Sequence, residues 1–323
     1  MTSKKAIVTG GTGFIGSHLV ENLVTKGFDV VALTSRWPIE QVPNVNYLKG
    51  DIRDLEFLRN ACKGANVIFH CAAKGNMTES FSQPYLYHDV NVNGTATALE
   101  AARLEGAEKI IYLSSAMCYG IPQEIPTTES APLSLTNPYA TSKVMAERLL
   151  LDWSGYYHIP AISLRLSLVY GPRISKTNGT IFSILFPQRF HNLPLTVCGD
   201  GNQKRDFVHV NDVCRAALAA SESSVTGQAF NIGGGIAYTV NDLIKLIGGA
   251  NVLRVQDPRV VPDHLELDIS KARQILGWEP KVKLNDGIKE MLEDIHYWSD
   301  ETPLTPLDVQ SRMNGWKQNE ELL

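Results

Sequence analysis

The segment YATSK sets Tyr139 and Lys143 four positions apart, which on a helix puts a phenol and an ammonium on one face. An ammonium beside a phenol favours the phenolate and lowers a pKa that starts near ~10. A phenol tuned in this way is a general acid and base: it passes a proton to or from a substrate hydroxyl while hydride moves elsewhere. The pair alone recurs by chance. A third group sharpens it, because Ser115 closes the run KIIYLSS, and a hydroxyl at a strand end would bond the same substrate oxygen.

Holding these three groups together takes a sheet. Residues 5–9 (KAIVT) are a short β-branched run, residues 14–26 carry Phe14, Ile15, Leu19 and Leu23 at helical spacing, and DVVALT (29–34) is apolar again. Strand, helix, strand within about 30 residues predicts a βαβ unit with a right-handed crossover. The alternation continues through NVIFHCAA (66–73), the helical NVNGTATALEAARLEG (91–106), KIIYLSS (109–115), the helix at 139–153 and AISLRLSLVYG (161–171). The predicted fold class is therefore α/β: a doubly wound parallel (Rossmann) sheet over residues 1–172, with ligands at the carboxyl ends of the strands. From 173 to 298 the pattern loosens, with prolines at 187 and 194 and a GDG turn at 199–201, and a smaller lobe for the substrate is expected. Residues 299–323 are polar and proline-interrupted and read as a surface extension with no assigned function.

The turn GGTGFIG joins the first strand to the first helix and holds Gly10, Gly11, Gly13 and Gly16. Small residues there permit a tight turn and close approach of main chain to a pyrophosphate, with the helix N-terminus facing the anion. A carboxylate at the end of the second strand normally bonds the ribose 2′-hydroxyl and repels a 2′-phosphate. This chain has Thr34, Ser35 and Arg36 instead, two hydroxyls and a guanidinium. That chemistry accepts a phosphate and favours NADP, with NAD the alternative. Thr12 leaves the glycine turn without a second basic residue.

Composition removes other classes. The 323 residues are 44% hydrophobic and 20% charged, with a net charge of -4 and no block of like charges, so neither nucleic acid nor a polybasic membrane surface is expected. Cysteines 62, 71, 118, 198 and 214 are scattered without a C-x-x-C pair, arguing against a disulfide framework or a structural metal site. No run reaches the ~18 apolar residues of a membrane span, the apolar run at the start ends at Gly10, and the cytoplasm is the expected location.

Seven ordered motifs, GGTGFIG, SSAMCYG, NPYATSK, LRLSLVYGPR, GDGNQKRDFVHVNDV, FNIGGG and ISKARQILGWEPK, resemble the extended short-chain dehydrogenase/reductases that act on nucleotide-diphosphate sugars, over nearly the whole chain to about residue 298. The resemblance implies Ser115, Tyr139 and Lys143 as catalytic, with Lys143 also holding the nicotinamide ribose. It implies Gly10, Gly13, Phe14, Ile15 and Gly16 at the pyrophosphate, Asp51 and Ile52 at the adenine, and Ala72, Ala73, Asn91 and Ser114 along the cofactor. Lys74, Arg205 and Arg259 are the residues it implies for the substrate, the two arginines on the diphosphate, and a homodimer is the implied assembly. Two departures count. Ala116 and Met117 stand where dehydratases of the family carry an Asp-Glu pair, and Leu168 stands where an asparagine usually contacts the diphosphate.

The first expectation is an NADPH-dependent 4-ketoreductase of a nucleotide sugar. The alternative is a nucleotide-sugar 4-epimerase that keeps tightly bound NAD, for which the absence of the dehydratase acids fits equally well. A reductase of a non-sugar ketone, or a non-catalytic cofactor sensor on the same fold, stands behind both.

Overall fold

The computed structural model describes residues 3–38, 41–174, 176, 180–249, 251–257 and 262–311. The chain opens with β1 (Lys5–Thr9), α1 (Phe14–Thr25), β2 (Asp29–Thr34), β3 (Val45–Lys49), α2 (Leu55–Cys62), β4 (Val67–His70), α3 (Met77–Ser82), α4 (Pro84–His88), α5 (Gly94–Glu105), β5 (Lys109–Ser115), α6 (Pro138–Tyr157) and β6 (Ala161–Leu166). It continues with β7 (Leu168–Tyr170), α7 (Ile181–Phe190), β8 (Leu195–Cys198), β9 (Lys204–His209), α8 (Val210–Glu222), β10 (Gln228–Ile232), β11 (Ala237–Thr239), α9 (Val240–Ile247), β12 (Val252–Val255), β13 (His264–Leu265), α10 (Ser270–Leu276) and α11 (Leu284–Glu293).

Seven strands form the main sheet in the order β3-β2-β1-β4-β5-β6-β10, every pair parallel. The strands are nearly continuous apolar runs because helices cover both faces. Alternate residues feed opposite cores: Val8, Val30 and Phe69 pack on one side with Leu19 of α1, and Ile7, Val31 and Ile68 on the other with Leu99 of α5. Strand order reverses between β1 and β4, and the crevice outside their carboxyl ends is where such sheets take a ligand.

The sheet draws its seventh strand from beyond residue 172. After the second lobe begins, α8 returns to pack against α1, and β10 pairs with β6 from Gln228↔Ile162 to Ile232↔Leu166. The rest of that lobe is a small sheet, β11-β9-β13 with β7 also on β9, and a β12-β8 pair, around Tyr170, Phe182, Phe186, Phe207 and Trp298. The lobes are tied at α1: the Arg173 guanidinium pairs with Glu21 at 2.6 Å, and His18 Nε2 donates to Pro172 O at 2.8 Å. The described part of the C-terminal extension packs on the second lobe, with Val309 only 1% exposed and Gln188 donating to Leu304 O at 2.7 Å. No described helix is long and apolar enough to cross a membrane.

Candidate active site

The glycine turn is dictated by contact distances. Gly10 has φ +67°, and a Cβ on it would lie 2.9 Å from the backbone of Ala72 at the end of β4. A Cβ on Gly16 would lie 2.1 Å from Gly10 O, so α1 sits closer to the turn than any side chain allows. Gly13 caps α1 without a side-chain bond, and the first helical bond runs from Ser17 N–H to Gly13 O. The amides of Phe14, Ile15 and Gly16 thus precede the helical ladder and face outward with the positive end of the helix. The side chains of Phe14 and Ile15 are spent in the two apolar clusters, so these residues offer a ligand their main chain. The turn is braced from behind by Thr9 and His70, whose ring bonds Thr9 Oγ1 at 2.8 Å and Thr95 Oγ1 at 3.0 Å and is held neutral by burial, its pKa pushed down to about 3.

Along the crevice, the Ser114 hydroxyl is buried and has no partner among the described residues, at the end of β5 where a ligand amide or hydroxyl would satisfy it. The uncapped helix, the cradle that a Cβ would fill and this orphaned hydroxyl together fit a dinucleotide. Asn91 serves the same crevice indirectly. It lies in a π-helical turn (Asp89–Asn93), accepts from Lys74 N at 2.7 Å and donates to Lys74 O and Ser142 Oγ, clamping the loop through Ala72 and Ala73 onto α6. Of the residues expected at the adenine, Asp51 is gripped by Arg53, which also pairs with Asp89, while Ile52 packs against Gly94 of α5.

Tyr139 and Ser115 meet at the end of β5, and Lys143 stands apart from them. Asn137 accepts from Ala140 N at 2.8 Å and Pro138 opens α6, so Tyr139 stands in the first turn of that helix. Its phenol is hydrogen-bonded to Ser115, whose Oγ also accepts from Met117 N at 3.2 Å. The edge of Tyr87 supports the Tyr139 ring, centroids 6.4 Å apart at 89°. One expectation is corrected here. Burial raises the Tyr139 pKa, and only the Ser115 hydrogen bond opposes it. Lys143 does not reach the phenol: its Nζ donates to Leu113 O and lies 4.3 Å from the centroid of the Tyr112 ring.

Lys143 is itself 4% exposed, and burial pushes its pKa down to about 7. The unfolded chain therefore binds more protons between pH ~7 and ~10.4, and stability rises with pH across that window. Lys143→Met is expected to stabilise the dinucleotide-free protein by about 1–4 kcal/mol at pH 6, a gain that fades by pH 10. Denaturant midpoints at pH 6, 8 and 10 check it; a pH-independent difference would show that the ammonium is not the source.

The substrate residues are less tightly gathered. Lys74 Nζ lies 3.5 Å from Glu79, which accepts from Tyr87 OH at 2.8 Å. The Arg205 guanidinium donates to Lys204 O and Pro262 O at 2.8 and 2.9 Å, pinning the segment that leads into β13. Leu168 pairs with Phe207 and packs in the second-lobe core, where its side chain offers no polar atom to a diphosphate. Arg259 lies outside the described residues.

One buried contributor is missing from the motif reading. Glu147, 3% exposed, pairs with Arg165 at 2.6 Å and accepts from Ser163 at 2.7 Å, while Arg165 donates to Tyr119 OH at 2.8 Å. This network fixes α6 against β6 and the segment after Ser115. Its signal is a carboxylate continuing the Tyr139–Lys143 face at helical spacing, on the side of α6 that faces the core.

The pattern of the NAD dependent epimerase/dehydratase family matches residues 6–233. A UDP-glucose 4-epimerase of Mycolicibacterium smegmatis is 33% identical over 306 residues, 90% of this chain and 97% of that protein. The crystal structure of UDP-glucose 4-epimerase with UDP-glucose from Thermotoga maritima is similar with a TM-score of 0.86 at 31% identity, covering 92% of this chain and 100% of that one. UDP-glucuronic acid 4-epimerase from Bacillus cereus, in complex with UDP-glucuronic acid and NAD, is similar with a TM-score of 0.83 at 29% identity over 91% of this chain and 99% of that one.

Proposed function

Because the chain belongs to the NAD-dependent epimerase/dehydratase family, we propose that it is a nucleotide-sugar 4-epimerase, oxidising carbon 4 of the sugar and reducing the ketone from the opposite face. The observation that carries this reading is the Tyr139–Ser115 hydrogen bond at the end of β5 with Ala116 and Met117, not an acid and a base, next to the serine. Tyr139, as the phenolate that the Ser115 hydrogen bond favours, takes the proton of the C4 hydroxyl, Ser115 bonds the same oxygen, and Tyr139 returns the proton when the ketone is reduced. A nicotinamide dinucleotide bound there would supply the hydride acceptor and, on the return, the hydride donor. Lys143 would hold the nicotinamide ribose, and Arg205, Arg259 and Lys74 are the residues the family resemblance offers to the diphosphate, to which Leu168 brings no polar atom. Water loss needs an acid and a base at positions 116 and 117, and this chain has neither.

The 4-epimerase relatives support this reading above the 4-ketoreductase expected first from sequence. The reductase retains one observation in its favour, Thr34 and Arg36 where a carboxylate would stand. A homodimer, the assembly the family resemblance implies, would cover exposed apolar side chains such as Leu104 of α5 and Met145 of α6. The discriminating experiment supplies no dinucleotide. The purified chain is expected to interconvert the 4-epimers of UDP-glucose or UDP-glucuronic acid over many turnovers, whereas a reductase would consume added NADPH one for one.

A further inference from the structure

Tyr139 stands half-buried in the first turn of α6, and the ring of Tyr87 meets its ring at 89° with centroids 6.4 Å apart. Perpendicular rings at this spacing attract one another. The contact limits any swing of Tyr139 that would carry its oxygen away from Ser115, and it fixes the ring plane in which the phenol bonds its partners. Tyr87 itself, on α4, is 0% exposed, so its side chain is not open to a substrate.

Tyr87 is fixed in turn by its hydroxyl. The oxygen lies between two acceptors, Asn76 O at 2.5 Å and Glu79 Oε2 at 2.8 Å, and accepts from Asn76 N at 3.1 Å. Glu79 is held in α3, where Asn76 caps its N–H at 3.1 Å, and Gln83 donates to Oε1 at 3.2 Å while Lys74 Nζ lies 3.5 Å from Oε2. Burial and then the Glu79 bond raise the Tyr87 pKa, so this phenol stays protonated and adds no charge beside Tyr139.

A second grip comes from the same helical run. Four residues beyond Tyr87, Asn91 holds the N–H and C=O of Lys74 as Tyr87 holds those of Asn76, and it donates to Ser142 Oγ at 2.9 Å, three residues on from Tyr139. Both α3 and α4 pack on α6. The loop from Lys74 to Asn76 and the start of α6 are therefore set against one frame, and Tyr87 is the member of it that reaches the ring of Tyr139.

We propose that Tyr87, clamped through its hydroxyl by Asn76 and Glu79, is a positioning residue that aims the Tyr139 phenol at Ser115. The inference rests on Tyr139 as the proton-transfer group. Because the Ser115 bond opposes the effect of burial, a phenol that loses it ionises at higher pH. The other titratable groups near that phenol, Tyr112 on β5 and Cys118 beyond Ser115, are held neutral by burial, and the Lys143 ammonium is turned to Leu113 O. Loosening Tyr87 therefore moves the pH of half-maximal turnover upward.

Interconversion of the 4-epimers by the full chain with no dinucleotide added, measured from pH 6 to 10, tests this in Tyr87→Phe, Tyr87→Leu and Tyr139→Phe. Tyr87→Phe keeps the ring and loses the clamp, and turnover is expected to fall roughly 3-fold; Tyr87→Leu loses both, and a fall of roughly 30-fold is expected. In each the pH of half-maximal turnover should rise, by more in the leucine variant, with KM and the affinity of the exchanged-out protein for NAD within about twofold of wild type. A merely structural loss lowers the active fraction and leaves that pH where it was. An unchanged pH of half-maximal turnover in Tyr87→Phe, a leucine variant no worse than the phenylalanine one, or NAD affinity lost in step with turnover would each overturn the role of Tyr87; should Tyr87→Leu not fold, the pH profile of Tyr87→Phe decides. Full activity in Tyr139→Phe would overturn the inference together with the acid–base reading, whereas loss there beside wild-type behaviour of both Tyr87 variants would overturn the inference alone.

Discussion

Tyr139→Phe is expected to lower turnover by roughly two orders of magnitude or more while dinucleotide affinity stays within about twofold. The substitution deletes only the oxygen that carries the proton. The ring keeps its edge contact with Tyr87, and α6 keeps its Asn137 cap and its Glu147–Arg165 anchor, so the variant should fold and bind as wild type does. Burial raises the Tyr139 pKa, and Ser115 is the hydrogen-bond donor that favours the phenolate. Ser115→Ala should therefore slow the reaction too, by a smaller factor, because the phenol remains. Steady-state rates on each variant, set beside dinucleotide titrations, give the answer. Near-full activity in Tyr139→Phe would remove the phenol from the chemistry.

Gly16→Ala is expected to abolish dinucleotide binding, a loss of roughly 100-fold or more in affinity, corresponding to about 3 kcal/mol. The added methyl would meet Gly10 O at 2.1 Å, and that neighbour is main chain, which does not yield as a flexible side chain does. Helix α1 must move off β1, carrying the amides of Phe14 and Ile15 away from the place they share with the Gly10 turn. Overpacking of this kind also destabilises, by about 1–3 kcal/mol. Gly155→Ala is the control: nothing lies within 4 Å of a Cβ there, its φ is ordinary, and a helical alanine should stabilise by about 0.5–1 kcal/mol. Calorimetric titration with NAD and NADP reads the first effect and thermal denaturation the second. If Gly16→Ala binds either dinucleotide like wild type, the close approach of helix to turn is not what the cradle depends on.

Local sequence carried the parts of this site that depend on local geometry. The glycine spacing is legible because Gly10 and Gly16 answer to contacts within one turn and the adjoining strand end, and Tyr139 and Lys143 are legible because helical spacing fixes their common face. What spacing does not carry is how dry the face is. Lys143 reads as an ammonium beside the phenol, yet in the fold it is buried between the Leu113 carbonyl and the Tyr112 ring, which reverses the pKa effect assigned to the pair. Contacts distant along the chain were equally hidden: β10 returning to β6 from within the second lobe, Lys49 coming into register with Thr34, and Arg205 turned to the Pro262 carbonyl. Each depends on which strands pair, and pairing follows from the whole fold.

In the proposed reaction, hydrogen leaves carbon 4 and returns to the same carbon of the same molecule, with Tyr139 moving the proton. A UDP-hexose carrying deuterium at carbon 4, incubated with the purified chain and no added dinucleotide, tests this most directly. The 4-epimer is expected to appear with the deuterium retained at carbon 4, and Tyr139→Phe to give no conversion on the same timescale. Conversion with loss of deuterium to solvent, or conversion that requires stoichiometric added NADPH, would contradict it.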